Sequence, residues 1–164
     1  MNCYTLPFDD DEYDDQLPIV SREDIDHITN NTEMEYIFIT HCQFANDNIR
    51  RLSEQLRINQ SVINLSIIDT DIPEYAINAF SRCIKENTTL IQVFLRNNSI
   101  SYNSKGVARG VGFNNTLQRF TLRNNSVGDK ECKQFSWVVR FKENLKELDL
   151  RDNNIGNEGA SKLS

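Results

Sequence analysis

Several kinds of chemistry are missing from this chain. It has no run of about 18 apolar residues, the length a membrane-spanning helix needs. With a mean hydropathy of -0.54 and a formal net charge of -6, it reads as a water-soluble chain. The N-terminal stretch MNCYTLPFDDDEYDD has no basic start and no apolar core, so it does not read as a secretory signal. None of the four cysteines (Cys3, Cys42, Cys83, Cys132) forms a C-x-x-C pair, and only His27 and His41 could join them, which argues against a zinc site. Neither G-x-x-x-x-G-K-[ST] nor G-x-G-x-x-G occurs, so no phosphate-cradling loop is expected. With two histidines there is little material for a nucleophile–base pair. His41 beside Cys42 is the nearest approach, and the register set out below points their side chains apart. No catalytic, cofactor-binding or metal-binding residue is assigned. The acidic balance argues against nucleic acid, because phosphate contact needs clustered cations.

What the chain does contain is a period. Residues 145–155, LKELDLRDNNI, place Leu145, Leu148, Leu150, Asn153 and Ile155 in the pattern L-x-x-L-x-L-x-x-N-x-I. Leu117, Phe120, Leu122, Asn125 and Val127 fill the same template, as do Leu90, Val93, Leu95, Asn98 and Ile100. Val62, Leu65, Ile67, Thr70 and Ile72 fill it with threonine in the amide slot. Met34, Ile37, Ile39, Cys42 and Phe44 fill it with cysteine there. The units start at 34, 62, 90, 117 and 145, at separations of 28, 28, 27 and 28. After the last template residue, apolar positions recur at offsets of +5, +8 and +12: Ile49, Leu52 and Leu56, then Ile77, Phe80 and Ile84, then Cys132, Phe135 and Val139. Ala160 and Leu163 follow in the last unit. The short unit keeps Val107 and Val111 with one residue lost before them. Steps of three and four are helical, so each unit reads as strand, turn, helix.

These residues carry the leucine-rich repeat signature. A 28-residue period with a helix on the outer side resembles the ribonuclease-inhibitor-type repeat, a group that includes ribonuclease inhibitor, the sensor ends of NOD-like receptors, the Ran GTPase-activating protein and the tropomodulin tail. The resemblance implies an α/β fold: a right-handed solenoid, an open horseshoe arc, with a parallel sheet on the concave side and helices on the convex side. It covers about residues 34–164, the last repeat being incomplete. Residues 21–33 read as an N-terminal helical cap, with Ser21 and Asp24 at its start. Residues 1–20 read as an acidic, disordered tail. Residues 1–26 hold nine acids and one arginine, a net of -8, which leaves +2 for the remainder.

Strand alternation also allows the concave face to be written out. Its first outward column is Tyr36, Asn64, Gln92, Arg119 and Glu147. The second is Phe38, Ser66, Phe94, Thr121 and Asp149. The third is Thr40, Ile68, Arg96, Arg123 and Arg151, with His41, Asp69, Asn97, Asn124 and Asp152 beside it. The face is aromatic at one end and basic at the other. Its expected partner-binding residues are Tyr36, Phe38, Phe94, Arg96, Arg119, Arg123 and Arg151. Arginine and aromatics are the residue types that dominate binding hot spots, so the pattern points either to a docking stripe for an acidic protein or to a solvated ladder. The acidic run at 9–15 could also fold back onto Arg96, Arg123 and Arg151. Trp137, at +10 in its helix, is expected on the outer side, packed with Phe141. Matches to N-x-[ST], as at Asn64, Asn97 and Asn124, read as incidental.

The expected function is a non-catalytic, cytoplasmic scaffold that binds a protein on its concave face. The resemblance also implies two alternatives: a regulator of a GTPase or an actin-type filament, and a ligand-sensing fragment of a NOD-like-receptor-type protein. The last unit stops in mid-helix with no polar cap, so end-to-end self-association is a further expectation.

Overall fold

The computed structural model describes residues 3–5, 17, 19–45, 47–100 and 104–164, with backbone alone at 3 and 4. Elements alternate along the chain: β1 (Cys3–Thr5), β2 (Ile19–Val20), α1 (Arg22–Asn30), β3 (Tyr36–Thr40), β4 (Gln43–Phe44), α2 (Asn48–Leu56), β5 (Asn64–Ile68), α3 (Glu74–Glu86), β6 (Gln92–Arg96), α4 (Ser104–Phe113), β7 (Arg119–Thr121), α5 (Asp129–Phe141), β8 (Glu147–Asp149) and α6 (Asn157–Leu163). Among the described residues the main sheet runs β1-β3-β5-β6-β7-β8, and every pairing is parallel. Neighbouring strands are therefore successive units in the chain, each joined to the next by a helix, and the stack forms a solenoid with the helices on the convex side.

The core is the row that the period picks out. Leu65, Ile67, Val93, Leu95, Phe120 and Leu122 have no exposed surface, and they meet Leu52, Phe80 and Phe135 from the helices, which have none either. No single unit could dry this row; each lends its neighbour a wall. In the last unit, Leu145, Leu148, Leu150 and Leu163 are only partly buried, because β8 has a neighbour on one side.

The amide slots tie unit to unit. Asn125 Oδ1 accepts the N–H groups of Asn98 (3.1 Å) and Ile100 (3.2 Å), while its Nδ2 donates to Leu95 O at 2.5 Å. Asn153 repeats this one unit on, accepting from Asn125 N (3.0 Å) and Val127 N (2.8 Å). Asn98 accepts from Thr70 N at 2.9 Å. Among the described residues the side chains of Thr70 and Cys42 reach only their own turns, through Ile68 O (3.1 Å) and Thr40 O (2.9 Å).

A second ladder runs where the helices end. Asn87 and Asn114 are buried, and each donates to two carbonyls of the preceding unit: Leu56 O and Asn59 O for the first, Ile84 O and Asn87 O for the second. Each side-chain oxygen accepts two N–H groups of the next strand's approach. The threonines two residues on, Thr89 and Thr116, bond Val62 O (2.9 Å) and Leu90 O (3.0 Å). These N-x-T matches are thus structural, and Asn59 with Ser61 begins the series. The sequence reading did not find this ladder.

The N-terminal strand and one inward position in each of α5 and α6 differ from expectation, while the Ser21–Asp24 helix start is as expected. Cys3–Thr5 is a strand on β3, where a disordered tail was expected. With β2 and α1 it forms another unit: Val20 pairs with Phe44 in the turn slot, and Ile25 and Ile28 sit at its +5 and +8 positions, fully buried. Sixteen residues separate Tyr4 from Val20, where seven separate their partners Ile37 and Phe44. The extra nine hid the strand from a search at fixed period. The acidic run 9–15 falls in this connection and lies outside the described residues. The Ser21–Asp24 start of α1 is a reciprocal capping box. Finally, α5 buries Val138 and leaves Val139 53% exposed, and in α6 Gly159 is buried instead of Ala160. A step of three after Phe135 keeps the residue on the inner face as well as a step of four does.

Candidate functional site

The strand register reproduces the outward columns read from the sequence. Tyr36, Asn64, Gln92, Arg119 and Glu147 stand opposite one another, as do Phe38, Ser66, Phe94, Thr121 and Asp149. Thr40, Ile68 and Arg96 continue the third column within strands, and Arg123 and Arg151 extend it past the ends of β7 and β8. Tyr36, Phe38, Phe94, Arg96 and Arg123 are half-buried, while Arg119 and Arg151 are exposed.

A column of left-handed residues bounds this face. His41, Asp69, Asn97, Asn124 and Asp152 have φ of 51°, 52°, 55°, 54° and 58°. Short polar side chains tolerate that conformation best, which accounts for the residue types in the column. The kink turns the strand into its bend and aims the next residue, the amide slot, inward. The side chains also link up along the rim. His41 Nε2 lies 3.2 Å from Asp69 Oδ2, Asn97 donates to Asp69 Oδ1 at 2.5 Å, and Asn124 donates to Asn97 Oδ1 at 2.9 Å.

The arginines separate into two environments. At the C-terminal end each has a carboxylate. Arg151 holds Asp149 with two bonds of 2.9 and 2.7 Å, Arg123 Nε donates to Asp152 at 2.6 Å, and Arg119 lies 3.4 Å from Glu147. The Arg151 guanidinium holds the Asp149 carboxyl below its ordinary range, and Asp149 in turn raises Arg151. The repulsion expected of stacked arginines is thus relieved within the protein. Arg96 differs: its guanidinium sits 5.7 Å from the centre of the Phe94 ring, and its buried Nε has no hydrogen-bond partner among the described residues. Among the described residues Arg96 has no carboxylate partner, unlike the three arginines beyond it.

The pair His41–Cys42 has no nucleophilic geometry. His41 is exposed, with Nδ1 2.6 Å from Thr40 Oγ1; Cys42 is buried, and its thiol bonds Thr40 O. Burial pushes the Cys42 thiol up, away from the thiolate. Among the described residues no three His, Cys, Asp or Glu side chains are grouped to hold a metal ion, and no helix is long and apolar enough to cross a membrane.

One parallel strand per 27 or 28 residues, an inward amide ladder and an outer helical layer define a leucine-rich repeat solenoid, and that is the class of this fold. Comparison with known proteins agrees. The family model described as "Leucine Rich repeat" matches residues 142–164. Leucine-rich repeat-containing protein 45 of Gallus gallus is 29% identical over 102 residues, which is 60% of this chain and 15% of that protein. Among solved structures, actin-binding site 2 of leiomodin-1 superposes with a TM-score of 0.71 at 21% identity, covering 87% of this chain and 84% of that one. The C-terminal domain of tropomodulin from Caenorhabditis elegans gives 0.67 at 14% identity, covering 85% and 89%. At these identities the likeness is one of fold.

Proposed function

We propose that the chain is a non-catalytic protein-binding scaffold that docks its partner on the concave face. The observation that carries this reading is the half-exposed set Tyr36 and Phe38 on β3 and Phe94 and Arg96 on β6, facing the same way on one parallel sheet with β5 between them. Aromatic side chains and an arginine with no carboxylate partner among the described residues are residue types that dominate binding hot spots. Arg119, Arg123 and Arg151 flank the group as paired, rim-like charges that set orientation more than affinity. The partner is a protein, and it needs an acceptor for Arg96 more than a long acidic stripe. The buried, unpaired thiols of Cys42, Cys83 and Cys132 suit a reducing compartment such as the cytoplasm. The test is affinity capture from native lysate with three baits: wild type, Phe38→Ala/Phe94→Ala/Arg96→Ala, and Arg119→Ala/Arg123→Ala/Arg151→Ala. The reading expects the first variant to lose the captured protein and the second to retain most of it. Equal capture by all three baits would remove the concave face.

A second reading, a regulator of an actin-type filament, is favoured by one observation: the chain is nearly coextensive with actin-binding site 2 of leiomodin-1. Co-sedimentation with filamentous actin tests it, and a pellet free of the protein at high actin concentration removes it. Sedimentation velocity of the isolated chain addresses end-to-end pairing through β8, which a monomer at high concentration would exclude.

A further inference from the structure

The convex face carries a feature that the concave-face reading does not use. Phe113 on α4 and Trp137 and Phe141 on α5 are 54%, 45% and 58% exposed, and they form one aromatic ridge with ring centres 6.1 and 5.5 Å apart. The ridge is built in. A Cβ at Gly112 would lie 2.8 Å from Trp137 Cζ3, so only glycine lets the indole lie down on α4. At Gly110, where α4 packs on α3, an added Cβ would lie 2.5 Å from Ser81 O. Phe113 then stands between two recesses. One, of about 380 Å³ between α4 and α5, is lined by Ala108, Arg109, Phe113, Gln134 and Trp137. The other, of about 500 Å³ between α3 and α4, takes Arg82, Lys85, Gly106 and Gly110 as well as Arg109 and Phe113.

The charges around this ridge contrast with those inside the arc. Each of the concave arginines Arg119, Arg123 and Arg151 has its own carboxylate. On the convex side, Arg82, Lys85, Arg109, Lys133 and Arg140 make no ion pair among the described residues. Lys85 instead lies 5.4 Å from the centre of the Phe113 ring. Lys133 and Arg140 flank Trp137 at helical spacings of four and three, on the same outer stripe. The one acid lining the recesses, Glu86, is taken by Arg57 at 3.0 Å. A chain of net charge -6 thus gathers uncompensated cations around its exposed aromatics.

We propose that this convex ridge is a second docking surface, and that its occupant is an acidic segment of a partner protein carrying large apolar side chains. The apolar side chains enter the recesses on either side of Phe113, and the acidic positions meet Arg82, Lys85, Arg109 and Arg140. Concave recesses, the one between α3 and α4 lined in part by Gly106 and Gly110, suit discrete side chains rather than a lipid surface, which needs a protruding wedge. One face of Trp137 is already covered by α4, which leaves little platform for stacked bases.

Trp137 is the only tryptophan, so its emission reports occupancy directly. The probe is a synthetic 16-residue peptide of alternating Glu/Asp and Leu/Phe clusters, without Trp or Tyr, titrated into the full chain. Three controls accompany it: the same peptide with Lys for every acid, the same peptide with Ala for every apolar residue, and phosphatidylserine vesicles. A saturable change in Trp137 emission is expected with the acidic-apolar peptide alone, weakening as salt is raised. Arg82→Glu/Arg109→Glu should reduce affinity about tenfold or more. Both positions are exposed, and an unchanged thermal melt checks the fold of the variant. Phe113→Ala, read by the same tryptophan, should weaken binding while leaving the salt slope in place. The proposal is overturned by no change with the probe, by equal binding of the Lys or Ala peptide, by a response to vesicles as large as to the probe, or by unaltered affinity in Arg82→Glu/Arg109→Glu.

Discussion

Replacing Asn125 by alanine should be among the costliest single changes to the polar part of this molecule. The side chain is fully buried and joins its own turn to that of the preceding unit. Its oxygen satisfies Asn98 N and Ile100 N, and its amide satisfies Leu95 O and, at 3.0 Å, Arg123 O. Alanine leaves the two N–H groups without an acceptor in a region away from solvent. Each orphaned buried group costs about 1–3 kcal/mol, and a water drawn into the vacated space recovers part of that. The net expectation is about 2–4 kcal/mol. For a chain of this size that is a fall in midpoint of roughly 5–15 °C. Thr70 is the internal control. It occupies the same slot two units earlier, but among the described residues its hydroxyl bonds only its own turn, so Thr70→Ala should cost about 1 kcal/mol. Urea unfolding followed by circular dichroism, with both variants measured against wild type, reads the difference. If Asn125→Ala costs no more than Thr70→Ala, the ladder does not couple the units and the argument fails.

Other outcomes follow from the same contacts. Burial pushes the Cys83 thiol up to about 12. A folded value above the ordinary 9.0 means that its contribution to stability is complete below 9 and is lost as pH rises toward 12. At neutral pH, alkylation of Cys83 followed by mass spectrometry should proceed only through unfolding; labelling at the rate of a free peptide thiol would contradict this. Asp149 shifts the other way. Its folded value lies below the ordinary 3.8, so its stabilisation is present above that pH and disappears as pH falls through the folded value. Asp149→Asn should therefore lower the urea midpoint at pH 7 and make little difference near pH 2. A deficit of the same size at both would assign the loss to packing instead.

Much of this was legible in the sequence because a repeat constrains five places at once. The template sets Leu65, Val93, Phe120 and Leu148 in one row, and alternation then yields the outward columns residue by residue. What escaped was whatever the period does not carry. The N-terminal unit kept its turn and helix spacing at Val20, Ile25 and Ile28, and that spacing was the available signal; its strand was displaced by a long connection. The second ladder was present as Asn59, Asn87 and Asn114, at separations of 28 and 27, each two residues before a hydroxyl. It went unread because N-x-[ST] is common in an asparagine-rich chain. The ion pairs Arg123–Asp152 and Arg151–Asp149 depend on rotamers, which column arithmetic does not supply. The ridge around Phe113 was hidden for a similar reason. Trp137 and Phe141 are readable as an exposed helical pair, but the glycines that seat them are on another helix.

The solenoid requires strands of successive units to lie side by side in one direction and one register. Backbone nuclear Overhauser contacts in solution test this most directly. The account predicts parallel-strand connectivities linking Ile67 to Leu95 and Val93 to Phe120, with no reversed pairing. Antiparallel cross-peaks, or strands of adjacent units with no contact between them, would contradict it.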